Sequence, residues 1–189
     1  MGVATSINGS ALLTNDEIHD LQQQTGLPPA SIQRLYARFR QLDRSKAGSI
    51  TPSEMNSIPE FAMNPLAIRI IAVFFKNSSN GADDENVVSF TQFLQCMAVF
   101  SRSASRDEKL AFAFQVYDVD GDASISFSDL QTVLKLMVGK SLPDAEIDNL
   151  VRTTILAADV VDKDGAISFD EFKMSLFSAD LEQSFTLDF

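Results

Sequence analysis

Tryptophan is absent from this 189-residue chain, and cysteine and histidine occur once each. A single cysteine leaves no intramolecular disulfide, which fits a reducing compartment. Cys96 lies in the apolar run Phe93-Leu94-Gln95-Cys96-Met97 and reads as a buried small hydrophobe rather than a reactive thiol. A single histidine excludes a His-rich zinc site. It also restricts any Ser-His-Asp triad to His19, in the polar stretch Asp16-Glu17-Ile18-His19-Asp20, where a solvated surface residue is expected.

Basic residues are scarce. Fifteen Lys and Arg stand against 26 Asp and Glu, for a net charge of −11. That balance excludes nucleic acid, whose phosphates need a basic face. It also excludes docking on an anionic membrane by charge alone. No apolar run approaches the length of a transmembrane helix, and no basic-then-apolar secretory leader is expected. Yet 45% of the residues are apolar, enough for a packed core and too many for a disordered chain. The acid must be concentrated somewhere or neutralised by something.

What the chain does have is a repeat. Ile50, Val88, Ile125 and Ile167 recur at intervals of 38, 37 and 42 residues. Each is followed by Ser or Thr, and three residues later by an acid or amide: Thr51/Glu54, Ser89/Gln92, Ser126/Asp129 and Ser168/Glu171. Each pair is a capping-box signature for a helix start. Taken alone, the boxes mean four capped helices and no metal. Pro52 sits at a first helical position, where a missing N–H costs nothing. Apolar stripes at helical spacing flank the boxes. Ile32, Leu35, Tyr36, Phe39 and Leu42 precede the first. Leu130, Val133, Leu134, Met137 and Val138 follow the third. Ile147, Leu150, Val151 and Thr154 to Ala158 approach the fourth, behind a further cap expected at Ser141-Leu142-Pro143-Asp144. The pattern predicts an all-α fold of four helix-loop-helix units in two lobes, with short two-stranded β pairings between paired loops.

The loops carry oxygen donors at calcium spacing. Calcium takes six to eight oxygens, and a twelve-residue loop supplies them from positions 1, 3, 5, 7, 9 and 12 with Gly at 6. The third loop offers Asp118, Asp120, Asp122, the Ser124 carbonyl, Ser126 and Asp129 in that order. Two features depart from the pattern. Ala123 replaces the turn glycine at a position expected to need positive φ. Asp129 replaces the longer Glu, which predicts weaker calcium binding and better magnesium competition. In the fourth loop, counting back from Glu171 places Asp162, Asp164, Ala166 and Ser168 at positions 3, 5, 7 and 9, but Val160 at position 1. Either Asp159 reaches the ion across a one-residue insertion, or the first ligand is missing; the insertion is the reading taken. The first loop, Asp43 to Glu54, has Ala47 at position 5 and Arg44 and Lys46 nearby, and is expected to bind weakly or not at all. The second, with Gly81 at position 1, Asp83 at 3, Asn86 at 6 and Gln92 at 12, is read as structural, pairing with the first through Ile50 and Val88. Residues 118–129 and 159–171 carry eight of the eleven excess negative charges.

These loops, together with several other segments, resemble EF-hand proteins of the calcineurin B group, and most of all the calcineurin B homologous proteins. The segments are Thr25-Gly26-Leu27, Arg34 to Phe39, Ile58-Pro59-Glu60-Phe61, Asn64-Pro65-Leu66, Arg69 to Phe75 and the tail Asp180 to Phe185. Phe112-Ala113-Phe114 before Tyr117-Asp118, and Leu134 to Gly139, are shared with calcineurin B itself, as is the short linker Ser101 to Glu108. The resemblance implies a non-catalytic regulatory subunit that binds one or two calcium ions in its C-terminal lobe and clasps an amphipathic helix of a larger protein. For the homologous proteins that helix belongs to a sodium–proton exchanger tail, the partner expected here. For calcineurin B it belongs to the catalytic subunit of a Ser/Thr phosphatase, the alternative. Leu134, Met137 and Val138 are candidate groove residues, though core packing explains them equally. The expected division is an N-terminal extension at 1–25, a first lobe at 26–100, a linker at 101–108, a second lobe at 109–177 and a tail at 178–189. Met1-Gly2-Val3-Ala4-Thr5-Ser6 matches the N-myristoylation pattern at Gly2. One acyl chain gives only reversible membrane contact, so a cytoplasmic protein with peripheral membrane association is expected. A calcium buffer without an obligate partner and a metal-dependent hydrolase are the competing classes. The altered loops and the acylation motif speak against the first, and the lack of a catalytic constellation against the second.

Overall fold

Thr51, Ser89, Ser126 and Ser168 each stand in extended backbone at the start of a helix, and each forms the full reciprocal capping box. This is seen in a computed structural model that describes residues 12–57, 64–78, 87–101 and 104–176. Each hydroxyl accepts the N–H three residues on, while that residue's acid or amide accepts the cap's own N–H. Two otherwise orphaned donors are satisfied locally. Pro52 occupies the first turn of its helix, as expected.

Among the described residues the elements run α1 (Asn15–Thr25), α2 (Pro29–Leu42), β1 (Ser49–Ile50), α3 (Pro52–Met55), α4 (Ala67–Ser78), β2 (Val88–Ser89) and α5 (Phe90–Ala98). They continue with α6 (Arg106–Tyr117), β3 (Ser124–Ile125), α7 (Phe127–Val138), α8 (Asp144–Ala158), β4 (Ile167–Ser168) and α9 (Phe169–Ser175). The four strands form two antiparallel pairs. Ile50 faces Val88 in one, and Ile125 faces Ile167 in the other. The repeat's four aliphatic residues are therefore cross-strand partners, and all four are buried. The all-α reading with short β pairings, including the pairing of the first two loops, matches this architecture.

Two compact units form. In the first, the α2 stripe Ile32, Leu35, Tyr36, Phe39 and Leu42 is buried. Phe90 meets Tyr36 and Phe39 edge-on at 4.8 and 5.3 Å, and Phe93 packs beside Phe39 and Phe74. Such offset ring pairs add to area burial. Cys96 is buried here, its thiol directed at the Phe74 carbonyl. In the second unit, Ile147, Val151, Ile155 and Ala158 line one face of α8 against Leu110, Phe114, Ile125, Leu130, Ile167 and Phe172. Phe114 meets Phe169 and Phe172 at 5.3 and 5.5 Å.

Several details differ from the sequence reading. The N-terminal extension contains α1, started by a Thr14/Glu17 capping box and anchored by buried Ile18 and Leu21. His19 is exposed on its outer face, as expected. The linker expected at 101–108 already contains a helix start: Ser105 caps α6 through Glu108. Residues 64–73, read as part of the first lobe, group with the second unit. The cap expected at Ser141 does not form. Pro143 is the N-cap of α8 and makes no side-chain cap bond.

Ile147 is only 1% exposed. Ile147→Ala is expected to lower the unfolding free energy of the calcium-free protein by about 2–5 kcal/mol. Leu156, 81% exposed on the same helix, is expected to tolerate Ala within about 0.5 kcal/mol. Urea denaturation followed by circular dichroism compares the two.

Candidate metal centre

The third loop is built by short side-chain to backbone turns. Asp118 ends α6 in extended backbone. Its Oδ1 accepts the Gly121 N–H at 2.7 Å and its Oδ2 the Ala123 N–H at 3.1 Å. Asp120 accepts from the Asp122 N–H, and Asp122 from the Ser124 N–H. These turns curl the chain so that one carboxylate oxygen from each of Asp118, Asp120 and Asp122 lies within 4.8 Å of the others. Three anions that close repel one another, a cost that a bound divalent cation offsets. Gly121 and Ala123 both take left-handed backbone, at φ 80° and 71°. The strain expected at Ala123 is therefore present.

Asp129 stands apart from that triad. Its Oδ1 accepts the Val119 N–H, and its Oδ2 accepts the Ser126 N–H and hydroxyl. Ser126, expected as the ninth-position ligand, spends its hydroxyl on this cap. Ser124 and Ala166, expected to offer carbonyls, occupy matching places: each N–H goes to the Asp two residues earlier.

In the fourth loop the hydrogen bonds distinguish Asp159 from Val160. Asp159 ends α8 in much the same backbone conformation in which Asp118 ends α6. Its Oδ2 accepts the Gly165 N–H at 2.8 Å, as Asp118 accepts from Ala123. The Val161 N–H reaches Glu171 Oε1 across ten residues, the span that joins Val119 to Asp129. From Val161 onward the loop therefore keeps the twelve-residue register, and Val160 is the inserted residue, half exposed. Asp159 stands where Asp118 stands in the third loop, and it converges with Asp162 and Asp164 within 4.8 Å. The other oxygen of Asp159, Oδ1, is buried with no hydrogen-bond partner. A buried carboxylate oxygen left bare is costly. A cation with hard oxygen preference satisfies it, and the donor set of carboxylates and carbonyls suits calcium or magnesium rather than a soft metal.

Glu171 closes this loop and is fully buried. The Ser168 N–H, the Val161 N–H and the Ser168 hydroxyl hold its carboxyl down to about 2, from an ordinary 4.5. It stays anionic throughout the range in which a metal could bind.

The first loop has the same frame without the same ligands. Lys46 and Gly48 take left-handed backbone at φ 57° and 78°. Asp43 accepts from the Ser45 hydroxyl and from the Ala47 and Gly48 N–H groups. Glu54 accepts from Arg44, Ser45 and Thr51. Ala47 supplies no side-chain oxygen, so the turn is held by its own hydrogen bonds. In the second loop, Gly81, Asp83 and Asn86 lie outside the described residues, as do Gly2 and the tail. Of the candidate groove residues, Leu134 and Val138 pack on the second unit's core, whereas Met137 is 46% exposed.

Residues 107–174 match the family model described as an EF-hand domain pair. The calcineurin B protein of Naegleria gruberi is 41% identical over 93% of this chain and 95% of its own length. The chain belongs to the calcineurin B family. Calcineurin B type 1 of Dictyostelium discoideum is 38% identical over 87% of this chain and 88% of its own. The calcineurin B protein of Schizosaccharomyces pombe is 39% identical over 89% of this chain and 93% of its own. The family's EF-hand pair thus coincides with the two loops that bring three carboxylates together.

Calcium titration by calorimetry is expected to fill two sites, and Glu171→Gln to leave one. Ala123→Gly relieves the left-handed alanine and is expected to stabilise the calcium-free protein by about 1 kcal/mol. Because the Glu171 carboxyl is depressed in the fold, its stabilisation is complete above pH 4.5 and is lost as the pH falls from there through about 2. Acid unfolding of metal-free Glu171→Gln is expected to show a shallower pH dependence across that window.

Proposed function

We propose that the protein is the calcium-binding, non-catalytic regulatory subunit of a Ser/Thr protein phosphatase, clasping an amphipathic helix of the catalytic subunit. The observation that carries this reading is the end-to-end likeness, near 40% identity, to proteins named as calcineurin B. It favours the phosphatase over the exchanger tail expected from the resemblance to the homologous proteins. The short stretch between the two halves of the chain points the same way. The acids of the described loops support a binding role. They are engaged in caps, turns and convergent triads, apart from Asp170, which pairs with Lys173 at the surface.

A helix partner needs apolar surface. Met137 on α7 and Leu150 on α8 are each 46% exposed. Leu134 and Val138, on the same helix as Met137, pack on the core. We assign Met137 to partner contact, and Leu134 and Val138 to supporting that face. Helix-in-groove recognition uses anchors at this spacing. The metal reading assigns Asp118, Asp120, Asp122, Ser124, Ser126 and Asp129 to one ion, and Asp159, Asp162, Asp164, Ala166 and Glu171 to the other. No helix among the described residues is long and apolar enough to cross a membrane. Membrane contact, if Gly2 is acylated, is then the reversible kind that one acyl chain supports.

Calorimetry with two synthetic helices tests the partner. A phosphatase catalytic-subunit helix is expected to bind in the presence of calcium, and Met137→Asp to weaken it by at least about tenfold. An exchanger-tail helix is expected to bind more weakly. Tighter binding of the exchanger helix reverses the assignment, and binding of neither removes the subunit reading.

A further inference from the structure

The last turn of α6 ends in carbonyls that no helical N–H can reach. The Asp118 N–H closes on Phe114, which leaves the carbonyls of Gln115, Val116 and the cap itself pointing onward. Arg69, on α4 and 49 residues before Asp118, satisfies all three. Its Nε donates to the Val116 carbonyl at 3.1 Å, and its Nη2 donates to those of Gln115 at 3.2 Å and Asp118 at 2.8 Å. The guanidinium is part-buried, and its charge meets the negative end of the helix dipole. Asp118 is also the first ligand position of the third loop. Its carboxylate faces the triad while its carbonyl is held by Arg69.

We propose that Arg69 is a positioning residue of the third calcium loop. By clamping the carbonyl of Asp118 and the turn before it, Arg69 sets the direction in which the chain leaves α6, and so where the Asp118 carboxylate points. Groups that orient a metal ligand from behind typically carry tenfold or more of the affinity. A flexible exit would leave Asp118 free to turn away from Asp120 and Asp122, whose repulsion already opposes the triad. Charge alone predicts the opposite. A fixed cation near the ion repels it, so a purely electrostatic Arg69 would weaken calcium binding and its removal would tighten it. The sign of the effect therefore separates the two roles.

This inference rests on the calcium reading, and calorimetric titration of the full chain tests the two separately. Glu171→Gln isolates the third loop, and Asp120→Ala with Asp122→Ala isolates the fourth. In the first background, Arg69→Met is expected to lower calcium affinity about tenfold. In the second, it is expected to change affinity by less than about twofold. Arg69→Lys keeps the charge and the stem but loses the fork, and is expected to weaken the third loop as well. It serves as the second variant where the Met change compromises folding, which circular dichroism reports. Unchanged or tighter binding at the third loop overturns the proposal, as does an equal fall at both loops. A wild-type chain that takes up no calcium overturns the calcium reading itself and is recognised before any Arg69 variant is made.

Discussion

In three of the four loops, one carboxylate at the following helix start ties the loop to that helix. Glu54, Asp129 and Glu171 cap their own helix and reach back ten residues to an N–H at the loop's beginning. A single side chain thus satisfies backbone donors at both ends of the loop. The rest of each unit follows from that closure. With the ends fixed, the middle must turn through left-handed residues. The strand that emerges is short, and its aliphatic residue meets the equivalent residue of the neighbouring loop in the core. The first loop shows that the closure works without a full ligand set. Its Asp43 and Glu54 hold the same frame with Ala47 in place of an acid.

The third and fourth loops add to that frame what a metal-free protein would avoid. Each brings three carboxylates within 4.8 Å of one another, and the fourth leaves a buried Asp159 oxygen bare. These are costs in an isolated fold and assets to a divalent ion. The chain's acidity is therefore local, and the closing Glu171, held ionised by three donors, is ready for it. Membership of the calcineurin B family and the geometry of the loops arrive at calcium from independent directions.

Much of this is legible without coordinates because the signals are local. A capping box is written in four residues, so all four boxes can be read from Ser or Thr and the acid or amide three residues on. The α2 stripe can be read because burial on one helix face imposes a fixed spacing. The misreadings share a cause in context. Ser141 has the right type for a cap, but Pro143 takes the position and Ser141 lies outside the helix. Thr14/Glu17 and Ser105/Glu108 are boxes of the same form as the four, but no aliphatic residue of the repeat marks them. The stretch around Ser105 reads as solvated linker because its polar residues suit either a linker or a helix start.

Residue order was enough for the four capping boxes, for the pairing of Ile50 with Val88 and of Ile125 with Ile167, and for which acids could serve an ion. These depend on contacts three to twelve residues apart or on a repeat that aligns with itself. Packing in three dimensions was needed to place Asp159 rather than Val160 at the opening of the fourth loop, because the choice lies in which residue the Gly165 and Val161 N–H groups can reach. It was needed for Arg69 too. A guanidinium that finds three carbonyls 46 to 49 residues away leaves no periodic trace, since backbone carbonyls carry no sequence signature and only the fold brings Arg69 to the end of α6.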